Sequence, residues 1–212
     1  SPGAEPGSPV PHAATNTAIT APVRSLCTVP TPCLRMRTTP LMASTPRRPR
    51  RFQSHLDFGS VGEQAALEAL AESGMRYEIV RHGPVRTLAE AAAARGVEPA
   101  AVIKTIVVRR GEDDFLFVLV PGDRTIGWPK LRAVLGVSRL SMPDAATAKD
   151  VTGYERGTIT PFGSLRSWPV VADERIRGRM VSIGAGAPGV AATVDGDDLL
   201  TALGATVADV TD

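Results

Sequence analysis

The chain has 212 residues, with 24 lysines and arginines against 22 acids and a formal net charge of +2. No span approaches the roughly eighteen apolar residues of a membrane helix, and both cysteines, Cys27 and Cys33, fall within residues 1–51. A disulfide framework or a thiolate site is thereby excluded from everything beyond them.

Residues 1–51 and 52–212 are different materials. The first stretch holds ten of the eighteen prolines, seven arginines and a single acid, Glu5, and it ends in Arg47-Arg48-Pro49-Arg50-Arg51. It has neither helical nor strand period, so it cannot bury enough apolar surface to offset its ordering entropy. The expectation is a disordered Pro/Arg-rich tail. It reads as a basic arm for nucleic acid, as a targeting segment, or as an over-long start with Met42 or Met36 as the true initiator. The last is preferred, because the tail lacks the apolar core of a secretory signal and its prolines oppose an amphipathic transit helix. Without those seven arginines and one acid, residues 52–212 hold 17 bases and 21 acids. A net-negative body is no generic polyanion binder, and any RNA contact must come from a local patch.

In the body, Ser60 caps a helix over residues 62–71 that stops at Gly74. Tyr77–Val80 reads as a strand. Thr87-Leu-Ala-Glu90 has the form of a capping box and opens an alanine-rich helix ending at Gly96. Ala101–Val108 and Phe115–Val120 are strands joined by a turn at Gly111–Asp114, a hairpin. A short helix begins near Pro129, and another runs from Pro143-Asp144 to Gly153. An irregular stretch, Tyr154–Trp168, follows. Short strands at Val170–Ala172, Met180–Ile183 and Val190–Val194, a helix at Asp197–Leu203 and a strand at Thr206–Asp209 complete the chain. Hairpins mixed with crossovers predict an α+β single domain with a mixed central sheet flanked by helices.

Lys104 is the residue that chemistry must explain. It lies in Ala101-Val-Ile-Lys-Thr-Ile-Val-Val108, in a chain with three lysines and 21 arginines. Alternation gives it a face shared with Val102, Ile106 and Val108, opposite Ile103, Thr105 and Val107. Both faces are apolar, as in a strand covered on both sides. An ammonium there is paired, aimed into a polar cavity, or snorkelling to water from the strand's end. The second informative segment is Tyr154–Gly163, where Gly157 and Gly163 bracket Pro161. Such a loop either points backbone N–H groups at an oxygen or simply covers surface. His82, in Arg81-His-Gly-Pro84, lines a pocket or sits in a turn. Gly184-Ala-Gly-Ala-Pro-Gly189 lacks the strand–glycine–helix setting of a dinucleotide loop and reads as a hairpin connection on one wall of a cleft. Histidines are too few for a metal cluster or a histidine-relayed serine. Neither metal nor cofactor is expected.

Ile103-Lys104-Thr105, Val120-Pro-Gly-Asp123, Lys130-Leu131, Thr152-Gly-Tyr154 and Gly157-Thr-Ile-Thr-Pro-Phe-Gly163 stand in the order and spacing of the YbaK/EbsC family. His82, Thr87 and the Gly186…Gly189…Asp198-Leu199 pattern match as well. This family of trans-editing aminoacyl-tRNA deacylases is related to the editing insertion domain of bacterial prolyl-tRNA synthetases, and the resemblance spans roughly residues 62–210. It implies hydrolysis of the ester joining a wrong amino acid to tRNA. It places the essential lysine at Lys104 and the glycine loop at Gly157, Thr158, Thr160, Pro161, Phe162 and Gly163, with His82, Gly184 and Gly186 also at the substrate. An activated ester needs positioning and carbonyl polarisation rather than a protein nucleophile. The implied partners are the acceptor end of a mischarged tRNA and, for recruitment, a synthetase or elongation factor. A cytoplasmic setting without membrane contact is expected. This chain has Thr158 where the loop often repeats glycine, no acid at Ile126-Gly127-Trp128, and Gly184, Ala187 and Pro188 where some relatives carry serine and bases. No relative's amino acid specificity is therefore carried over. The alternative is a non-catalytic binding module that uses the same cleft for a synthetase, an aminoacyl end or another ligand. Retention of a costly cation favours the enzyme.

Overall fold

The computed structural model describes residues 60–212, and the tail reading lies outside these residues. Helix α1 spans Val61–Glu72, with the Ser60 hydroxyl accepting from the Glu63 N–H at 3.3 Å. Strand β1 is Tyr77–Arg81 and helix α2 is Leu88–Arg95, ended by Gly96 in the left-handed region. Thr87 Oγ1 accepts from the Glu90 N–H as expected, but Glu90 turns its carboxylate to the Arg86 N–H at 2.8 Å. The reciprocal half of the capping box is thus displaced by one residue.

A 3-10 turn at Pro99–Ala101 leads into β2, Val102–Gly111, which forms a hairpin with β3, Asp114–Pro121. Helix α3 (Trp128–Leu135) carries Pro129 in its first turn, and α4 (Ala145–Thr152) is capped by Asp144 and closed by Gly153. Strand β4 (Val170–Asp173) is followed by a 3-10 turn at Glu174–Ile176. Then come β5 (Met180–Gly184), β6 (Val190–Asp195), α5 (Gly196–Ala202) and β7 (Thr206–Ala208). Local sequence period foretold these seven strands and five helices; the two 3-10 turns are too short to have one.

All seven strands join one sheet in the order β1-β6-β5-β2-β3-β4-β7. The β2–β3 and β5–β6 pairs are antiparallel hairpins, whereas β2–β5, β3–β4 and β4–β7 are parallel. The predicted α+β class with a mixed sheet is observed. Strand β3 makes the covering of both faces explicit. Phe115, Phe117 and Leu119 enter one apolar cluster with Ile103, Val107 and Ile183, and Leu116, Val118 and Val120 enter the other with Val108 and Leu131. Each such side chain contributes roughly 1.5–3 kcal/mol by leaving water. No helix among the described residues is long and apolar enough to cross a membrane.

Candidate active site

The site begins where two strands part. Strand β5 pairs with β2 only at Val102↔Ser182 and Ile103↔Ile183, while β2 continues along β3 to Gly111. Beyond Ile103, alternate backbone groups of β2 face an edge without a strand partner, until Arg109 bridges to Ser141. A cavity of about 190 Å³ occupies this gap, lined by Arg95, Val102, Ile103, Lys104, Thr105, Gly157, Ile159 and Gly184. Four consecutive β2 residues line it, so it lies along the strand's edge rather than over one face.

Lys104 is half-buried, and its Nζ donates to Gly122 O at 2.9 Å and to Arg124 O. Two of the three ammonium protons are thereby held by the turn after β3, leaving one N–H donor without a partner among the described residues. Burial lowers the Lys104 pKa from the ordinary lysine value, and the nearby Asp123 carboxylate partly opposes this. Thr105 adds a buried hydroxyl oxygen without a partner among the described residues.

The opposite wall is the Tyr154–Gly163 loop. Tyr154 is buried and its hydroxyl donates to Phe162 O at 2.7 Å, clasping the loop's two ends. Burial pushes its phenol up to about 12. Gly157, at φ 95°, lies in a conformation that disfavours side chains, although a Cβ there would meet nothing within 4 Å. It is glycine for its backbone, not for room. Gly184 is the converse: its φ is unremarkable, and a Cβ would lie 3.8 Å from Ile159 O, an ordinary contact. A longer side chain there would project towards the cavity.

The structure brings Lys104, Gly157 and Gly184 together on one cavity and puts His82 one contact away, its Nε2 lying 3.3 Å from Arg95 Nε. The other residues that sequence grouped with them are placed differently. Thr158 is buried, with its hydroxyl on Glu155 O at 2.9 Å. Thr160 is wholly buried with an unpartnered hydroxyl, and Phe162 belongs to the core. Pro161 is half-buried. Gly163 packs on the Ala65 backbone, and Gly186 lies so close to Gly62 O that a Cβ would clash. These residues shape and anchor the loops and are not among those lining the cavity. Sequence reasoning missed Arg95, Thr105 and Ile159. Arg95 had no signal, because an arginine in the last turn of a helix is ordinary.

Among the described residues no three His, Cys, Asp or Glu side chains gather as a metal site. Arg109, Arg110 and Arg139 border a surface groove of about 180 Å³, with Arg110 paired to Asp114 at 2.7 Å.

Known proteins resemble this chain in sequence and in fold. The family described as "Aminoacyl-tRNA editing domain" matches residues 82–202, more than half of the chain. Curated relatives include the proline--tRNA ligase of Thermosipho melanesiensis, 33% identical over 110 residues that make up 52% of this chain and 19% of the relative. That of Pelotomaculum thermopropionicum is 35% identical over 121 residues, 55% of this chain and 21% of the relative. The matched segment thus spans about a fifth of these relatives' length. A crystal structure of a protein put forward as a trans-editing enzyme for prolyl tRNA synthetase superposes with a TM-score of 0.67 at 27% identity, covering 73% of this chain and 99% of that one.

Proposed function

Since the chain belongs to the aminoacyl-tRNA editing domain family, we propose that it hydrolyses the ester of a mischarged aminoacyl-tRNA in trans. The observation that carries this reading is Lys104, which lines a small cavity together with Gly157 and Gly184 while two backbone carbonyls fix its ammonium. A cavity of this size suits a small aminoacyl group, and its edge position suits a ligand whose bulk remains outside.

In this mechanism the ester carbonyl oxygen lies against backbone N–H groups near Gly157, and the remaining Lys104 proton orients the aminoacyl group or terminal ribose. Water adds to the carbonyl carbon, and the N–H dipoles and the ammonium stabilise the oxyanion that forms. Collapse breaks the bond to the ribose oxygen, which leaves as a hydroxyl with a proton from the attacking water. The products are a free amino acid and uncharged tRNA. No protein nucleophile is required, since holding an activated ester beside water in a polarising site supplies much of the barrier reduction. The Arg109–Arg110–Arg139 groove is a suitable contact for the RNA backbone.

The experiment is a deacylation screen of this chain against a panel of mischarged tRNAs carrying small amino acids. Release of the amino acid from at least one, well above the spontaneous rate, is expected. Tight binding without release from any would identify a binding module instead.

A further inference from the structure

We propose that Arg95 forms an oxyanion subsite of the Lys104 cavity and takes a phosphate of the RNA 3′ end while the aminoacyl group lies beside Lys104. This rests on reading the cavity as an aminoacyl-ester site. Arg95 is the last residue of α2, where the carbonyl end of a helix favours a cation. Its Nε donates to His82 Nε2 at 3.3 Å, and His82 Nδ1 lies 2.8 Å from Gly83 O. A carbonyl can only accept, so Nδ1 carries the imidazole proton and Nε2 offers its lone pair to Arg95. A neutral, oriented histidine therefore grips the guanidinium by one edge. Arg95 lines the cavity, and both its terminal amino groups, with four N–H donors, are without a hydrogen-bond partner among the described residues.

Among the described residues no acid pairs with Arg95. Arg81, Arg110 and Arg175 are paired with Glu63, Asp114 and Asp173 respectively. Arg95 is half-buried, and burial alone acts on its pKa, lowering it. A partly desolvated cation without a counter-charge is costly until an anion arrives. The planar fork matches the paired oxygens of a phosphate. An esterified amino acid has lost its free carboxylate, whereas the nucleotide carrying it has a phosphate one ribose away from the ester. The group that Arg95 is built to meet is thus part of every substrate of the site.

The test uses non-hydrolysable analogues in which alanine is amide-linked to 3′-amino-3′-deoxyadenosine, with and without a 5′-phosphate. Wild type is expected to bind the phosphorylated analogue about tenfold more tightly, as one charge-assisted contact supplies. Arg95→Gln should erase that preference without changing affinity for the unphosphorylated analogue, and Arg95→Lys should keep part of it. A melting curve checks that each variant is folded. An unchanged preference in Arg95→Gln, an equal loss on both analogues, or no preference in wild type would overturn the subsite. So would an unphosphorylated aspartyl analogue that regains affinity through Arg95, which would assign the oxyanion to the amino acid side chain. Phosphate preference without ester hydrolysis would leave the subsite standing and remove the catalytic reading. Hydrolysis without the preference would do the reverse.

Discussion

Lys104 is one of three lysines in an arginine-rich chain, and its surroundings explain the choice. Two backbone carbonyls converge on Nζ from a single turn, which suits a compact ammonium with three divergent donors and not a planar fork. Its charge is set by burial against the influence of Asp123. If the charged form is needed, Asp123→Asn removes the contribution that raises the Lys104 pKa, so the alkaline limb of deacylation moves to lower pH. Single-turnover rates between pH 7 and 10, corrected for spontaneous hydrolysis, measure this; an unmoved limb would detach Asp123 from the ammonium. Lys104 was legible in sequence because a cation within an apolar run violates the pattern. Arg95 was not, because the contact with His82 that gives it meaning crosses from a strand end to a helix end, and one-dimensional spacing does not encode it. The family resemblance placed Thr160 at the substrate, yet its hydroxyl is buried without a partner among the described residues.

The Tyr154–Gly163 loop is an element without regular structure, and its order comes from its clasp. Tyr154→Phe removes the hydrogen bond to Phe162 O and is expected to cost about 1 kcal/mol in denaturant melts. The same phenol makes stability depend on pH. Its folded pKa is raised to about 12, against an unfolded value of about 10. Stability from this group is therefore full below pH 10. Above that the unfolded chain releases a proton that the fold retains, and the contribution is lost as pH rises towards 12. Tyr154→Phe should flatten that decline relative to wild type; identical alkaline slopes would contradict it. At Gly157 the constraint is the left-handed backbone, so Gly157→Val is expected to cost about 1–3 kcal/mol locally and most of the activity. Thr160→Ala, which deletes an unpaired hydroxyl, should be mild. Equal kinetic losses in the two variants would instead make the hydroxyl a participant. Helix and strand positions were legible because caps and turns are local: Ser60, Thr87, Asp144 and Gly153 each act within four residues. Sheet order was not, since β1–β6 and β2–β5 unite segments far apart in sequence and alternation names no partner.

At the scale of the molecule, one sheet covered on both faces carries the candidate site at the gap between β2 and β5. Residues 1–41 have neither helical nor strand period and are rich in proline, so a chain begun at Met42 is expected to unfold cooperatively and to keep its deacylation rate; loss of cooperative melting would show that the first forty-one residues contribute to the fold. If tRNA affinity alone falls, the removed segment, which carries Arg24, Arg35 and Arg37, is a binding arm; the Arg47–Arg51 cluster stays in that chain. The central claim is that Lys104 acts in ester hydrolysis. Its most direct measurement is single-turnover hydrolysis of a mischarged tRNA that the wild type cleaves, with Lys104→Ala and Lys104→Arg assayed beside it and each melted to show that it is folded. The account predicts folded variants in which alanine abolishes the reaction and arginine does not restore it. A folded Lys104→Ala protein that cleaves at the wild-type rate would contradict it and leave Lys104 as a cation that only ties β2 to the turn carrying Gly122 and Arg124.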